Sequence, residues 1–135
     1  MASYLLKTEP STYSWDDLVR DERTVWDGVT NAAALNAIRA MKAGDEAIIY
    51  HSGKDKAIVG LARIVRDAYQ DPKKNDSKLA VVDVAPVRPL ATPVTLAQVK
   101  AVPGLSDFAL VRISRLSTMA VSDTHRKLLE QLGVL

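Results

Sequence analysis

Two apolar runs, residues 46–51 and 57–65, flank the polar tetrapeptide Ser52-Gly53-Lys54-Asp55, and this arrangement constrains the fold more than any other feature of the chain. Both runs are rich in Ile, Val and Ala, and the punctuation between them is turn-forming, so they read as the two strands of an antiparallel hairpin. A hairpin in mid-chain is incompatible with the regular strand-helix-strand alternation of a doubly wound parallel sheet. Gly60, inside the second strand, predicts a bulge or a close approach of another group to the backbone, which bends the sheet toward a barrel.

The other segments fit around that hairpin. Residues 3–8 form a strand closed by Glu9-Pro10, because the residue before proline is held extended. Ser14 caps a short helix over 15–21, and Trp26-Asp27-Gly28-Val29 reads as a turn. Asn31 caps the most strongly patterned helix, with Gly44 as its stop. Residues 71–78 are polar and turn-rich. A strand follows over 79–90, its far end confined to a sheet edge by Pro86 and Pro89. Thr95 caps a helix through Lys100, Pro103-Gly104 turns the chain, residues 114–121 give a last strand, and Ser122 caps a closing helix. Five strands among short helices, with brief connections and no internal repeat, predict one α+β domain over residues 1–135, built around a small curved sheet or barrel.

Composition narrows the chemistry. The chain has no Cys and only two His, 74 positions apart, which removes disulfides, thiolate nucleophiles and Cys-based metal sites; no metal and no cofactor is expected. No early apolar stretch is long enough for a signal-peptide core or a membrane span, so a cytoplasmic protein without a membrane partner is expected. Net charge is +2, but residues 1–30 carry three basic and six acidic side chains while residues 31–135 carry fifteen and ten. That excess permits contact with polyanions without forming a dense basic stripe.

Enzymatic motifs are sparse. The Gly-Lys pair Gly53-Lys54 has Ile48 where a phosphate-binding loop needs its first glycine, so that motif is absent. His51 and Ser52 are adjacent on a strand and point to opposite faces, so they do not make a nucleophile-base pair with each other. Lys7 and Glu9 share one face and can pair at the mouth of a barrel, holding a hydrogen-bonding lysine over a pocket. Trp26, before Asp27-Gly28, suits the wall of a pocket for a planar ligand, although a tryptophan more often belongs to the core.

Taken in order, Leu5-Leu6-Lys7-Thr8-Glu9-Pro10, Trp26-Asp27-Gly28-Val29, Asn31, Arg39-Ala40-Met41-Lys42-Ala43-Gly44-Asp45, Tyr50-His51-Ser52, Ile58-Val59-Gly60, Asp67-Ala68-Tyr69-Gln70-Asp71-Pro72, Val82-Asp83-Val84 and Ser114-Arg115-Leu116-Ser117 resemble the EVE domain family over nearly the whole chain. The resemblance implies a PUA-like fold, a small mixed β-barrel flanked by short helices, and no catalytic activity. It further implies a nucleic-acid-binding module that reads a modified base of the 5-methylcytosine type in a pocket, in DNA or in RNA. Carried over by position, the pocket residues are Lys7, Glu9, Trp26, Asn31, Tyr50, His51 and Ser52. Thr30, Ala32 and Leu35 depart from the family pattern, which commonly has two cations and an aromatic beside Asn31, and Leu79 stands where a tryptophan is common.

Two other readings use the same residues. In one, the concavity takes a free nucleoside, nucleotide or carboxylate, with His51 and Lys7 supplying acid-base or anion-binding function as a binding protein or enzyme. In the other, the pocket is vestigial and the helices' exposed faces bind a partner.

Overall fold

The computed structural model describes residues 1–134. The hairpin is present, as β3 (Glu46–His51) and β4 (Ala57–Gln70). β1 (Ser3–Thr8) lies parallel to β3 on its other side, with Ser3 opposite Glu46 and Thr8 opposite His51. Flanked on both sides, β3 is buried at all six positions, which is why its sequence is nearly continuous in apolar residues rather than alternating. β5 (Ala80–Thr95) pairs with β4, β2 (Thr24–Trp26) pairs with β5 at Val82 to Val84, and β6 (Thr118–Val121) pairs with β1, giving the order β2-β5-β4-β3-β1-β6. Only β1 and β3 run parallel among these pairs.

The helices are α1 (Trp15–Asp21), α2 (Ala32–Ala40), α3 (Leu96–Lys100), α4 (Ala109–Arg112) and α5 (Asp123–Gln131), with a 3₁₀ turn over Pro103–Leu105. α2 packs against β4, β5 and β6. A nine-residue helix reaches strands from both halves of the sheet order only if the sheet curls around it, so the sheet is barrel-like but open, with no ladder between β2 and β6 among the described residues. Ile38 and Met41 of this segment are fully buried in the core that this produces.

Several boundaries differ from the sequence expectation, each for a local reason. Trp26 is the last residue of β2 rather than the start of a turn, and residues 27–30 form an irregular segment without a turn hydrogen bond, with Gly28 at φ 77°. α2 stops at Ala40 instead of reaching Gly44, because the Asp45 carboxylate accepts from the backbone N–H of Lys42 at 2.9 Å and folds residues 42–45 into a turn with Gly44 at φ 95°. β4 continues to Gln70 and β5 to Thr95. Beyond Val84 the second side of β5 has no strand on it, so Pro86 and Pro89 are tolerated there as expected, and the register shifts near Gly60 and Ala62 absorb them.

The last strand begins at Thr118 rather than at residue 114, since Ser114 and Ser117 instead turn toward β1: the Lys7 Nζ donates to Ser114 O and the Lys7 N–H to Ser117 O. Residues 105–113, without a sequence assignment, carry α4 and the buried Phe108, against whose ring His125 of α5 packs. Gly60 behaves as its sequence position suggested. The register shifts beside it, and the Trp15 ring lies so close that a Cβ at residue 60 would sit 2.7 Å from ring carbons.

Candidate functional site

Beyond the end of β1, the loop over residues 9–14, β2 and the irregular segment after it bound an open cavity of about 600 Å³, within the range of sites for small ligands. Its wall includes Lys7 and Thr8 from β1, Tyr13 from the loop, Arg23 and Trp26 at β2, and Ser117. Asp27, Gly28, Val29 and Lys73 complete much of the rim.

The two aromatics are locked together. Tyr13 meets Trp26 edge to face, with ring centroids 6.3 Å apart and planes at 90°. The Thr8 hydroxyl donates to Tyr13 O at 2.6 Å and the Tyr13 hydroxyl donates to Asp21 at 2.9 Å, so the loop is held at both ends of this residue. Trp26 is only 8% exposed and belongs to the hydrophobic core, so the two roles open in the sequence are combined in one residue: it is core on one side and wall on the other.

The cations are also positioned. Lys7 Nζ donates to Ser114 O at 3.0 Å and stands 5.6 Å from the centroid of the Tyr50 ring, and burial pushes its pKa below the ordinary lysine value. Arg23 bonds the Asp83 carboxylate through Nη2 at 2.7 Å and Nε at 3.3 Å, while the Tyr69 hydroxyl donates to the other carboxylate oxygen at 2.5 Å. Burial raises the Asp83 pKa, but the bonds from Tyr69 and Arg23 and the nearby positive charges of Arg23 and Arg66 outweigh it, leaving the group below its ordinary value. The lining therefore presents three cations, Lys7, Arg23 and Lys73, against the single carboxylate of Asp27.

Of the seven residues named from sequence, Lys7 and Trp26 line this cavity. Tyr50 lies behind the wall, 3% exposed, beneath the Lys7 ammonium. Glu9 forms no ion pair with Lys7; its carboxylate accepts from the N–H and hydroxyl of Ser11 and packs over Gly53, whose φ of 74° and missing Cβ leave room for it. Ser52 donates its N–H to Thr8 O at 2.9 Å. Asn31 caps α2, its side-chain oxygen accepting from Ala34 N–H at 3.1 Å. Glu9, His51 and Ser52 thus meet at the junction where β1 and β3 end, next to the cavity rather than on its wall.

His51 is 9% exposed, and both ring nitrogens face protein partners. Nε2 accepts from the Trp15 N–H at 3.0 Å, and a backbone amide can only donate, so the ring proton sits on Nδ1 and is given to Asp55 at 3.1 Å. That tautomer ties the start of α1 to the end of β3. It leaves no free lone pair with which to take a substrate proton in this arrangement.

Sequence reasoning missed Tyr13, Arg23 and Lys73. Arg23 had a signal: Asp83 is a carboxylate between apolar residues of a strand, and a buried acid requires a cationic or hydroxyl partner. Tyr13 had a weaker one, as an aromatic inside an otherwise polar loop. Among the described residues no group of three or more His, Asp or Glu is placed to hold a metal ion.

Comparisons with known proteins place this geometry in context. Residues 2–132 match the EVE domain. Human thymocyte nuclear protein 1 is 36% identical over 123 residues, covering 72% of this chain and 55% of that protein, so the chain spans about half the length of the curated relatives it matches. Rpa0253 from Rhodopseudomonas palustris, solved by NMR, superposes with a TM-score of 0.92 at 45% identity, over 98% of this chain and 93% of that one. Human THYN1, crystallised with DNA containing 5-methylcytosine, superposes with a TM-score of 0.90 at 30% identity, over 98% of each chain.

Proposed function

The chain belongs to the EVE domain family, and from that premise we propose that it is a nucleic-acid-binding module which admits an extruded modified base, of the 5-methylcytosine type in DNA, to the cavity beside Trp26. The observation that carries this reading is the cavity itself, formed in a fold that superposes on THYN1, a protein crystallised with 5-methylcytosine-containing DNA. Its lining includes residue types that suit the edge of a cytosine. The base offers carbonyl and ring-nitrogen acceptors to a cation such as Lys7, an exocyclic amine donor to a carboxylate such as Asp27, and a 5-methyl group to the apolar surface of Val29 and Trp26. Stacking and edge contacts of this kind offset the cost of taking the base out of a helix.

Binding without turnover is part of the proposal. The engagement of His51 by Trp15 and Asp55 supports it, since the imidazole serves the fold. The departures at Thr30, Ala32 and Leu35 leave the cavity wall intact, because none of the three lines it; Leu35 is buried in the core instead.

The test is a pair of binding isotherms on oligonucleotides that differ in one cytosine methyl group, with wild type and Lys7→Met. The methylated strand should bind more tightly, and Lys7→Met, which keeps the apolar stem and removes the charged donor, should weaken it by about tenfold or more, the weight of a hydrogen bond to a charged group. Equal affinity for both strands in both proteins would overturn the reading.

A further inference from the structure

Two smaller depressions are linked to the cavity, one directly and the other through the first, by shared lining residues. One, of about 350 Å³, is lined by residues 70–75 and shares Lys73 with the cavity; another, of about 220 Å³, includes Arg39, Tyr69 and Gln70 and shares Gln70 with the second. Through Lys73 and then Gln70 the three make a chain of depressions, a trough, that runs from Trp26 past the residues between β4 and β5 to Arg39 in the last turn of α2.

Its charge is unlike that of the chain as a whole. The lining carries five cations, Lys7, Arg23, Lys73, Lys74 and Arg39, against two carboxylates, Asp27 and Asp71, whereas the full sequence holds 18 against 16. Asp71 is only 4% exposed and accepts from the backbone N–H of Lys73, so it shapes the loop rather than facing a ligand. Arg39 is held in place at the far end, and so is Arg66, a cation outside the lining that stacks on the lining residue Tyr69. Arg39 bonds Asn36 and the carbonyl of Lys78, and Arg66 lies over the Tyr69 ring with its guanidinium carbon 3.7 Å from the centroid. Tyr69 is in turn fixed by Asp83, which also holds Arg23 on the cavity wall.

We propose that this trough is a track for the sugar-phosphate backbone of the strand whose base enters the cavity, with Lys73 and Lys74 holding the phosphates next to the extruded nucleotide and Arg39 a phosphate further along. The inference rests on the base-reading function proposed above and adds the path of the strand to it. Phosphate contacts position a nucleic acid without reading its sequence, so the hairpin supplies affinity while the cavity supplies preference.

The test uses an oligonucleotide with one 5-methylcytosine and, separately, free 5-methyl-2′-deoxycytidine, with wild type, Lys74→Glu, Arg39→Glu and, as a control, Lys127→Glu, whose exposed side chain lies on α5 and lines none of the three depressions. Lys74→Glu and Arg39→Glu should each weaken oligonucleotide binding by about tenfold at low salt and lower the slope of log affinity against log salt by about one unit for each phosphate no longer neutralised. Nucleoside binding should stay at the wild-type level. Arg39→Gln, which removes the charge and keeps a donor for the Lys78 carbonyl, covers any early melting of Arg39→Glu. Trough variants that match wild type and Lys127→Glu in affinity and slope would overturn the track while leaving base reading intact. Wild type that binds neither ligand would overturn both.

Discussion

Asp83 shows how much one buried charge organises. It is 7% exposed, yet it joins Arg23 of the cavity wall to Tyr69 of the depression that contains Arg39, and all three hydrogen bonds, two from Arg23 and one from Tyr69, go to its ionised form. Its pKa is raised by burial but lowered more by Tyr69, Arg23 and the surrounding positive charge, so it ends below the ordinary 3.8. A carboxylate whose folded pKa is depressed adds stability above its unfolded pKa and loses it as pH falls through the folded value. Asp83→Asn should therefore be less stable than wild type by about 1–3 kcal/mol near neutrality, with the difference shrinking below about pH 4. Urea melts of both proteins at stepped pH check this; a difference that persists unchanged into acid would show that the ionised form is not what the network uses. Trp26 teaches a complementary lesson, since a residue that is both core and wall cannot be truncated without removing core packing, which is why Lys7 carries the binding test.

Among the elements, those with strong periodicity or clear punctuation were legible in the sequence: β1, α1, β3 and α3 begin and end where their caps and prolines place them. Legibility failed where tertiary partners decide the boundary. The end of α2 is set by Asp45, the lengths of β4 and β5 by their mutual pairing, and β2 by its three-residue ladder on β5, none of which is a local signal. The site divided in the same way. Lys7 and Trp26 could be placed from a strand end and a turn, whereas Arg23 and Lys73 reach the cavity from segments whose position depends on the whole sheet. Gly60 is the element-level prediction that can be measured directly. Trp15 is buried and its ring lies against that backbone, so Gly60→Ala must displace α1 from β4 and should cost about 1–3 kcal/mol. Chemical denaturation would detect the loss. A variant as stable as wild type would mean that the ring can move aside freely.

At the scale of the whole molecule, a curled six-stranded sheet around α2 leaves the end of β1, the edge strand β2 and the β4–β5 hairpin on one side, and that side carries the aromatic pair and the clustered cations. A net charge of +2 is too small to hold nucleic acid through a diffuse field, so the proposed binding rests on this concentration of charge and on the cavity. Entry of the modified base into the cavity is tested most directly by NMR titration of the isotopically labelled protein. With an oligonucleotide containing one 5-methylcytosine, the largest shifts should fall on the Trp26 indole N–H and on the backbone amides of Lys7, Tyr13 and Ser117, and the unmethylated strand should produce much smaller ones. Shifts of equal size with both strands, or shifts that leave Trp26 and Lys7 untouched, would contradict the account.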